Sequence, residues 1–150
     1  MTSSTSPITC HVLNTLTGKP AANLEAKLTL LASTPQQQPG PSFTATTNAD
    51  GRITQWEPSN FTAEGSTSSA ITTPTVQSIL AAFEGDSPAV AADKVAWSLT
   101  FDVGAWYHAQ GVESFWPQVV VSFYVKPAAK AHYHVPVLVG PWTYTTYRGS

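Results

Sequence analysis

The segment His132–Ser150, HYHVPVLVGPWTYTTYRGS, gathers more groups able to do chemistry than any other stretch of the chain. It reads as two strands that run into a polar tetrapeptide, Tyr147-Arg148-Gly149-Ser150. A polar end after a strand usually frays. Here the preceding residues are apolar and aromatic enough to hold it against the body of the protein. That brings a guanidinium, a phenol hydroxyl and a carboxylate near His134. Imidazole is the side chain whose proton moves near neutral pH, while a guanidinium keeps its charge. A cluster of this make-up can transfer protons and fix an anionic or carbonyl oxygen.

Side-chain alternation along strands places more residues with His134. In Ile8–Asn14, His11 and Leu13 point one way, and Cys10 and Val12 the other. Further on, His134, Pro136 and Leu138 share a face opposite Tyr133, Val135 and Val137. In the last strand Thr143, Thr145 and Tyr147 align. The faces carrying Val12 and Val135 are the better core faces. His11, His134, Thr145 and Tyr147 are therefore left together on an outward, weakly charged face that a neighbouring subunit could cover.

The elements that position this face are short period-2 runs rich in β-branched and aromatic residues. They are Ile8–Asn14, Leu24–Leu31, Phe43–Thr47, Ile53–Trp56, Trp97–Val103, Gln118–Lys126, Val135–Val139 and Trp142–Tyr147. Turns fall at Thr17-Gly18-Lys19-Pro20 and at Asn48-Ala49-Asp50-Gly51, with Gly51 free to take positive φ. About eight such strands make an all-β sandwich. One short helix is expected over Gly104–Gln110, with Asp102 at its start and Gly111 at its end. Val76, Ile79, Leu80 and Phe83 recur at helical spacing inside a Ser/Thr/Ala-rich insertion from about 62 to 93, so that insertion is expected to be partly helical. Gln36–Pro41 reads as a loop.

The chain has 150 residues, which is one domain, 1–150, by the size rule. Charged residues make up 11%, against about 25% in an average soluble domain, and the net charge is −2. So bare a surface suits an oligomer. Seven basic residues, unclustered, argue against nucleic acid or a polybasic membrane contact. The single cysteine, Cys10, permits no intrachain disulfide and fits a reducing compartment. No secretory leader, membrane span or Ser-Lys-Leu address is visible, so a soluble intracellular protein is expected, cytoplasmic or peroxisomal and not secreted.

The residues that carry these readings also carry a resemblance. CHVLNTLTGKPAANL (Cys10–Leu24), TNADGRI (Thr47–Ile53), FWPQVVVSFYV (Phe115–Val125) and the segment from His132 to Ser150 resemble the transthyretin-related proteins, and within them the 5-hydroxyisourate hydrolase branch. The similarity runs in order over most of the chain and leaves out two inserted segments, Gln36–Pro41 and about 62–93. The resemblance implies an eight-stranded transthyretin-like β-sandwich with one short helix. It implies a homotetramer built as a dimer of dimers around a central channel. Carried over residue by residue, it makes His11, Arg52 and His134 the catalytic set. Tyr147, Arg148, Gly149 and Ser150 would bind substrate and close the pocket, with Thr145 beside them. In the hormone-binding branch the three counterparts are a Lys, a Glu and a Thr, and the tail motif is missing. The chain departs from the pattern at Val139–Tyr144 and in the length of the 62–93 insertion.

The implied reaction opens the ring amide of 5-hydroxyisourate with water, as a step of urate degradation. It needs a base, an acid for the leaving nitrogen and stabilisation of an oxyanion; two histidines can divide the first two tasks in either order. Arg52 would serve as a fixed positive fork. No cofactor and no metal is required. The alternatives are a transthyretin-like carrier without turnover and a plain interaction module. Outside this set the readings are plain ones. His108 and His132 are surface histidines, Cys10 is a small core residue, and the tryptophans are core or interface bulk. Read without the resemblance, Arg52 is a turn residue in solvent.

Overall fold

The computed structural model describes residues 5–31, 40–59, 75–82 and 94–150. Ten strands appear: β1 (Ile8–Asn14), β2 (Lys19–Pro20), β3 (Glu25–Leu30), β4 (Ser42–Thr46), β5 (Arg52–Ile53), β6 (Glu57–Pro58), β7 (Val95–Phe101), β8 (Val119–Val125), β9 (Tyr133–Val139) and β10 (Tyr144–Thr146). Two helices join them, α1 (Val76–Ala82) and α2 (Val103–His108). The first sheet has the order β10-β9-β1-β2, with β5 also paired to β1; the second runs β6-β4-β3-β7-β8.

The two sheets face each other with apolar rows inward, as period-2 strands require. Ile8, Cys10 and Val12 of β1 and Val135, Val137 and Val139 of β9 meet Ala26, Leu28, Trp97, Leu99, Phe101 and Val119 from the other sheet, all buried. Each such aliphatic or aromatic side chain stabilises the fold by roughly 1.5–3 kcal/mol. Trp97, in tilted contact with Phe43 at 6.4 Å between ring centroids, is the bulkiest of them. The outer row of β1 and β9 is thus fixed by what the inner row buries: a one-residue slip would turn His11 and His134 into the core.

The all-β sandwich expected from the pattern is the observed architecture. The two-residue strands β2 and β6 were not expected: Lys19 and Pro20 read as turn, yet they pair with Asn14 and Leu13. The expected helix is present as α2. Asp102 stands at its N-cap but makes no side-chain capping hydrogen bond, and Gly111 follows with φ 72°. What anchors α2 is Tyr107, whose buried hydroxyl donates to Asn14 Oδ1 at 2.7 Å. Within the insertion α1 is helical, with Val76 and Leu80 buried and Ile79 half-buried; Phe83 lies outside the described residues, as does most of the expected 36–41 loop. Trp142 is 66% exposed and is not core.

Candidate functional site

The outer face of the first sheet is built on β1, which lies between β5 and β9. Its antiparallel register with β5 sets His11 opposite Arg52, and its parallel register with β9 sets Thr9 opposite His134 and His11 opposite Pro136. Neighbouring strands lie about 4.8 Å apart, so Arg52, His11 and His134 occupy adjacent columns of one pleated face. His11 and His134 are half-buried; Arg52 is exposed.

Arg52 reaches that position through a turn the sequence dictates. Asn48 Oδ1 accepts the backbone N–H groups of Asp50 at 2.9 Å and of Arg52 at 3.0 Å. Gly51 takes φ 74°, open to glycine at no steric cost, and its carbonyl accepts the N–H of Val12 at 2.8 Å. The hydroxyl of Thr47 accepts the Leu24 N–H and donates to the Ala21 carbonyl, tying this turn to the next loop.

The surroundings of His134 shift its protonation equilibrium. Burial pushes its pKa below the ordinary value of 6.5, and the positive charges of Arg52, His132 and His11 push it further the same way. The ring is therefore held neutral, in the form that can accept a proton.

The tail runs back along β9. After the β10 pairs Tyr144–Val139, Thr145–Leu138 and Thr146–Val137, the same register is regained at Gly149, whose N–H donates to the His134 carbonyl at 2.9 Å. Gly149 thus sits against the His134 ring and Pro136. Arg148 goes the other way, its guanidinium 5.0 Å from the Tyr133 ring on the opposite face of β9. Tyr147 is 59% exposed, and Thr145 and Ser150 are exposed as well. A cavity of about 330 Å³ beside the tail is lined by Ser122, Tyr124, Tyr133, His134, Tyr147 and Arg148, and neither His11 nor Arg52 reaches it. A larger groove of about 780 Å³ lies on the outer face of the second sheet and holds no histidine.

Two residues of this face were not anticipated as functional. Thr9, 3% exposed, places its hydroxyl 2.8 Å from His134 Nδ1 and 2.8 Å from His132 Nε2. His132, read from the sequence as a plain surface histidine, is exposed but joined to His134 through that hydroxyl, with 6.3 Å between the two ring centroids. The signal was available: His132 and His134 are two apart on one face, and alternation puts Thr9 beside His11. Cys10, on the other face, is buried, and its thiol is pushed up to about 12 by burial. Among the described residues no three His, Cys, Asp or Glu side chains converge as metal ligands, and no helix is long and apolar enough to cross a membrane.

The family model for HIUase/Transthyretin proteins matches residues 8–149. The chain belongs to that family. It is 33% identical over 150 residues to the 5-hydroxyisourate hydrolase of Mus musculus, each chain covered over 100% of its length. It is 34% identical over 145 residues to the probable 5-hydroxyisourate hydrolase of Schizosaccharomyces pombe, with 95% of this chain and 90% of the relative covered. Among solved structures, the 5-hydroxyisourate hydrolase of Klebsiella pneumoniae superposes with a TM-score of 0.59 at 24% identity, covering 95% of this chain and 98% of the other. That superposition shows the shared HIUase/Transthyretin fold. Full-length identity above 30% to proteins with the hydrolase name bears on function, because the family description itself names both HIUase and transthyretin.

Proposed function

We propose that the chain hydrolyses 5-hydroxyisourate, opening its ring amide with water to give 2-oxo-4-hydroxy-4-carboxy-5-ureidoimidazoline. The observation that carries the reading is the juxtaposition of His11, Arg52 and His134 on one face, in a chain whose full-length relatives bear the hydrolase name. Neutral His134 accepts a proton from the attacking water. His11 delivers one to the departing ring nitrogen. Arg52, always charged, holds the carbonyl oxygen and stabilises the oxyanion as the bond to water forms. No step calls for a cofactor.

The residues Tyr147, Arg148, Gly149, Ser150 and Thr145 form the substrate-binding side of the proposal. Gly149 packed on His134, and Tyr147 and Arg148 lining the adjoining cavity, support it. The proposed assembly is a homotetramer, a dimer of dimers joined through sheet edges and outer faces. The edge strands β8 and β10 support this, as do the exposed Val120 and Tyr124 on β8 and the exposed Leu16, Phe115 and Trp142 on loops.

The carrier reading differs in one respect: it predicts ligand binding without turnover. Freshly generated 5-hydroxyisourate mixed with purified protein decides between them. Ring-opening absorbance should decay far faster than in buffer alone; a decay no faster than the spontaneous one would defeat the proposal.

A further inference from the structure

Thr9 is buried, polar and on the reactive face, and its hydroxyl touches one ring nitrogen from each of two histidines. A hydroxyl has one proton to give and lone pairs to receive. Between two imidazole nitrogens it can donate to only one, and where it accepts from the other the three groups form a directed chain. In one polarity His134 Nδ1–H donates to Thr9 Oγ1, and Thr9 O–H donates to His132 Nε2; His134 Nε2 is then bare. In the other, His132 Nε2–H donates to Thr9, Thr9 donates to His134 Nδ1, and His134 Nε2 carries the proton. His134 is half-buried, whereas His132 is exposed to water.

We propose that Thr9 and His132 form a proton wire that connects His134 to solvent and sets its tautomer between the base-ready and acid-ready forms. The inference rests on the hydrolase reading given above. Nε2 of His134 takes a proton from the attacking water while Nδ1–H passes its own to Thr9. The Thr9 hydroxyl proton moves to His132 Nε2, and His132 Nδ1–H gives one to bulk water. The wire is left in its second polarity. It resets when His134 Nε2 releases its proton to water in the emptied site, Thr9 returns its proton to His134 Nδ1, His132 Nε2–H passes one to Thr9, and His132 Nδ1 takes one from solvent. Other groups near His134 are His11 on β1, Arg52 on β5 and Tyr147 in the tail, while Arg148 lies across β9 against Tyr133. None of them offers His134 Nδ1 a hydrogen bond. Thr9 therefore acts as a positioning and proton-passing residue, and His132 as the outlet.

Thr9→Val removes the hydroxyl at nearly constant shape, Thr9→Ser keeps it, and His132→Gln keeps a hydrogen-bonding partner that cannot carry a proton. In dilute buffer kcat should fall by roughly tenfold or more in Thr9→Val and in His132→Gln, within the span that proton transfers contribute to catalysis. KM should hardly move, Thr9→Ser should retain most of the rate, and added imidazole should restore His132→Gln. Equal kcat in wild type, Thr9→Val and His132→Gln across pH 5–9 would overturn the wire. A second readout needs no turnover. In protein with ¹⁵N-labelled histidine, the Nδ1 resonance of His134 should shift in Thr9→Val and in His132→Gln. An Nδ1 resonance indifferent to both would overturn the inference even if the protein proves to be a hydrolase. The expected resonances in a protein without turnover would sink the hydrolase reading alone.

Discussion

Gly149 rests on His134. Its N–H donates to the His134 carbonyl at 2.9 Å, and a Cβ added to it would stand 2.7 Å from His134 Cδ2 and 2.8 Å from Pro136 Cγ. No real Cβ tolerates such distances, so either the ring turns or the tail lifts. Gly149→Ala should therefore lower kcat/KM by about tenfold or more, because displacements near 1 Å cost reactive geometry dearly. The tail adds little to the core, so the melting temperature should move by no more than about 2 °C. Steady-state kinetics beside a thermal melt checks both.

The neutral state of His134 has a pH signature. Its folded pKa lies below 6.5, so the acid limb of kcat/KM should fall below pH 6.5. Arg52→Gln removes one neighbouring positive charge, which makes protonation easier; the acid limb should move upward, toward 6.5, besides the loss of rate. The linked stability has a definite sign. A group with a depressed folded pKa contributes stability present above its unfolded pKa and lost as pH falls through the folded one. Stability should decline as pH drops below 6.5, and less steeply in His134→Asn, measured by urea unfolding between pH 4.5 and 7.5.

Gly51 sets up Arg52. At φ 74° an alanine would be strained, and its Cβ would meet the Val12 carbonyl oxygen and the Ala21 nitrogen. Gly51→Ala should cost about 2 kcal/mol or more of stability and displace Arg52, lowering activity with it. A chemical-denaturation curve and a rate measurement on the same sample test this. Asp50→Ala leaves the Asn48 bonds in place and should be far milder.

Cys10 is fully buried with a thiol pushed up to about 12, so hardly any thiolate exists at neutral pH. A disulfide reagent should leave native protein unmodified for hours and label one thiol after denaturation. Rapid labelling of the native protein together with loss of activity would contradict its assignment to the core.

The strands carrying the two histidines were legible because β1 and β9 each bury one face, and period-2 patterning is strong wherever burial is one-sided. That same alternation put His11 and His134 on one side and Cys10 on the other. The pairs β2 and β6 were not legible, since two residues carry no periodicity and Lys19 and Pro20 look like turn chemistry. Thr9 escaped notice because a threonine in a strand is ordinarily a β-former; its role appears only when the β1–β9 register sets it opposite His134. The direction of Arg148 could not be read either. It depends on the cation–π contact with Tyr133, which no local pattern encodes.

The central claim is that two imidazoles and a guanidinium on one sheet face open the hydroxyisourate ring together. Its most direct test is kcat/KM at pH 7.5, with freshly generated substrate, for wild type, His11→Asn, Arg52→Gln and His134→Asn. The wild type should far exceed the spontaneous reaction, and each variant should fall by roughly two to four decades while keeping a native melt. A wild type indistinguishable from buffer, or folded variants that all retain the full rate, would contradict it.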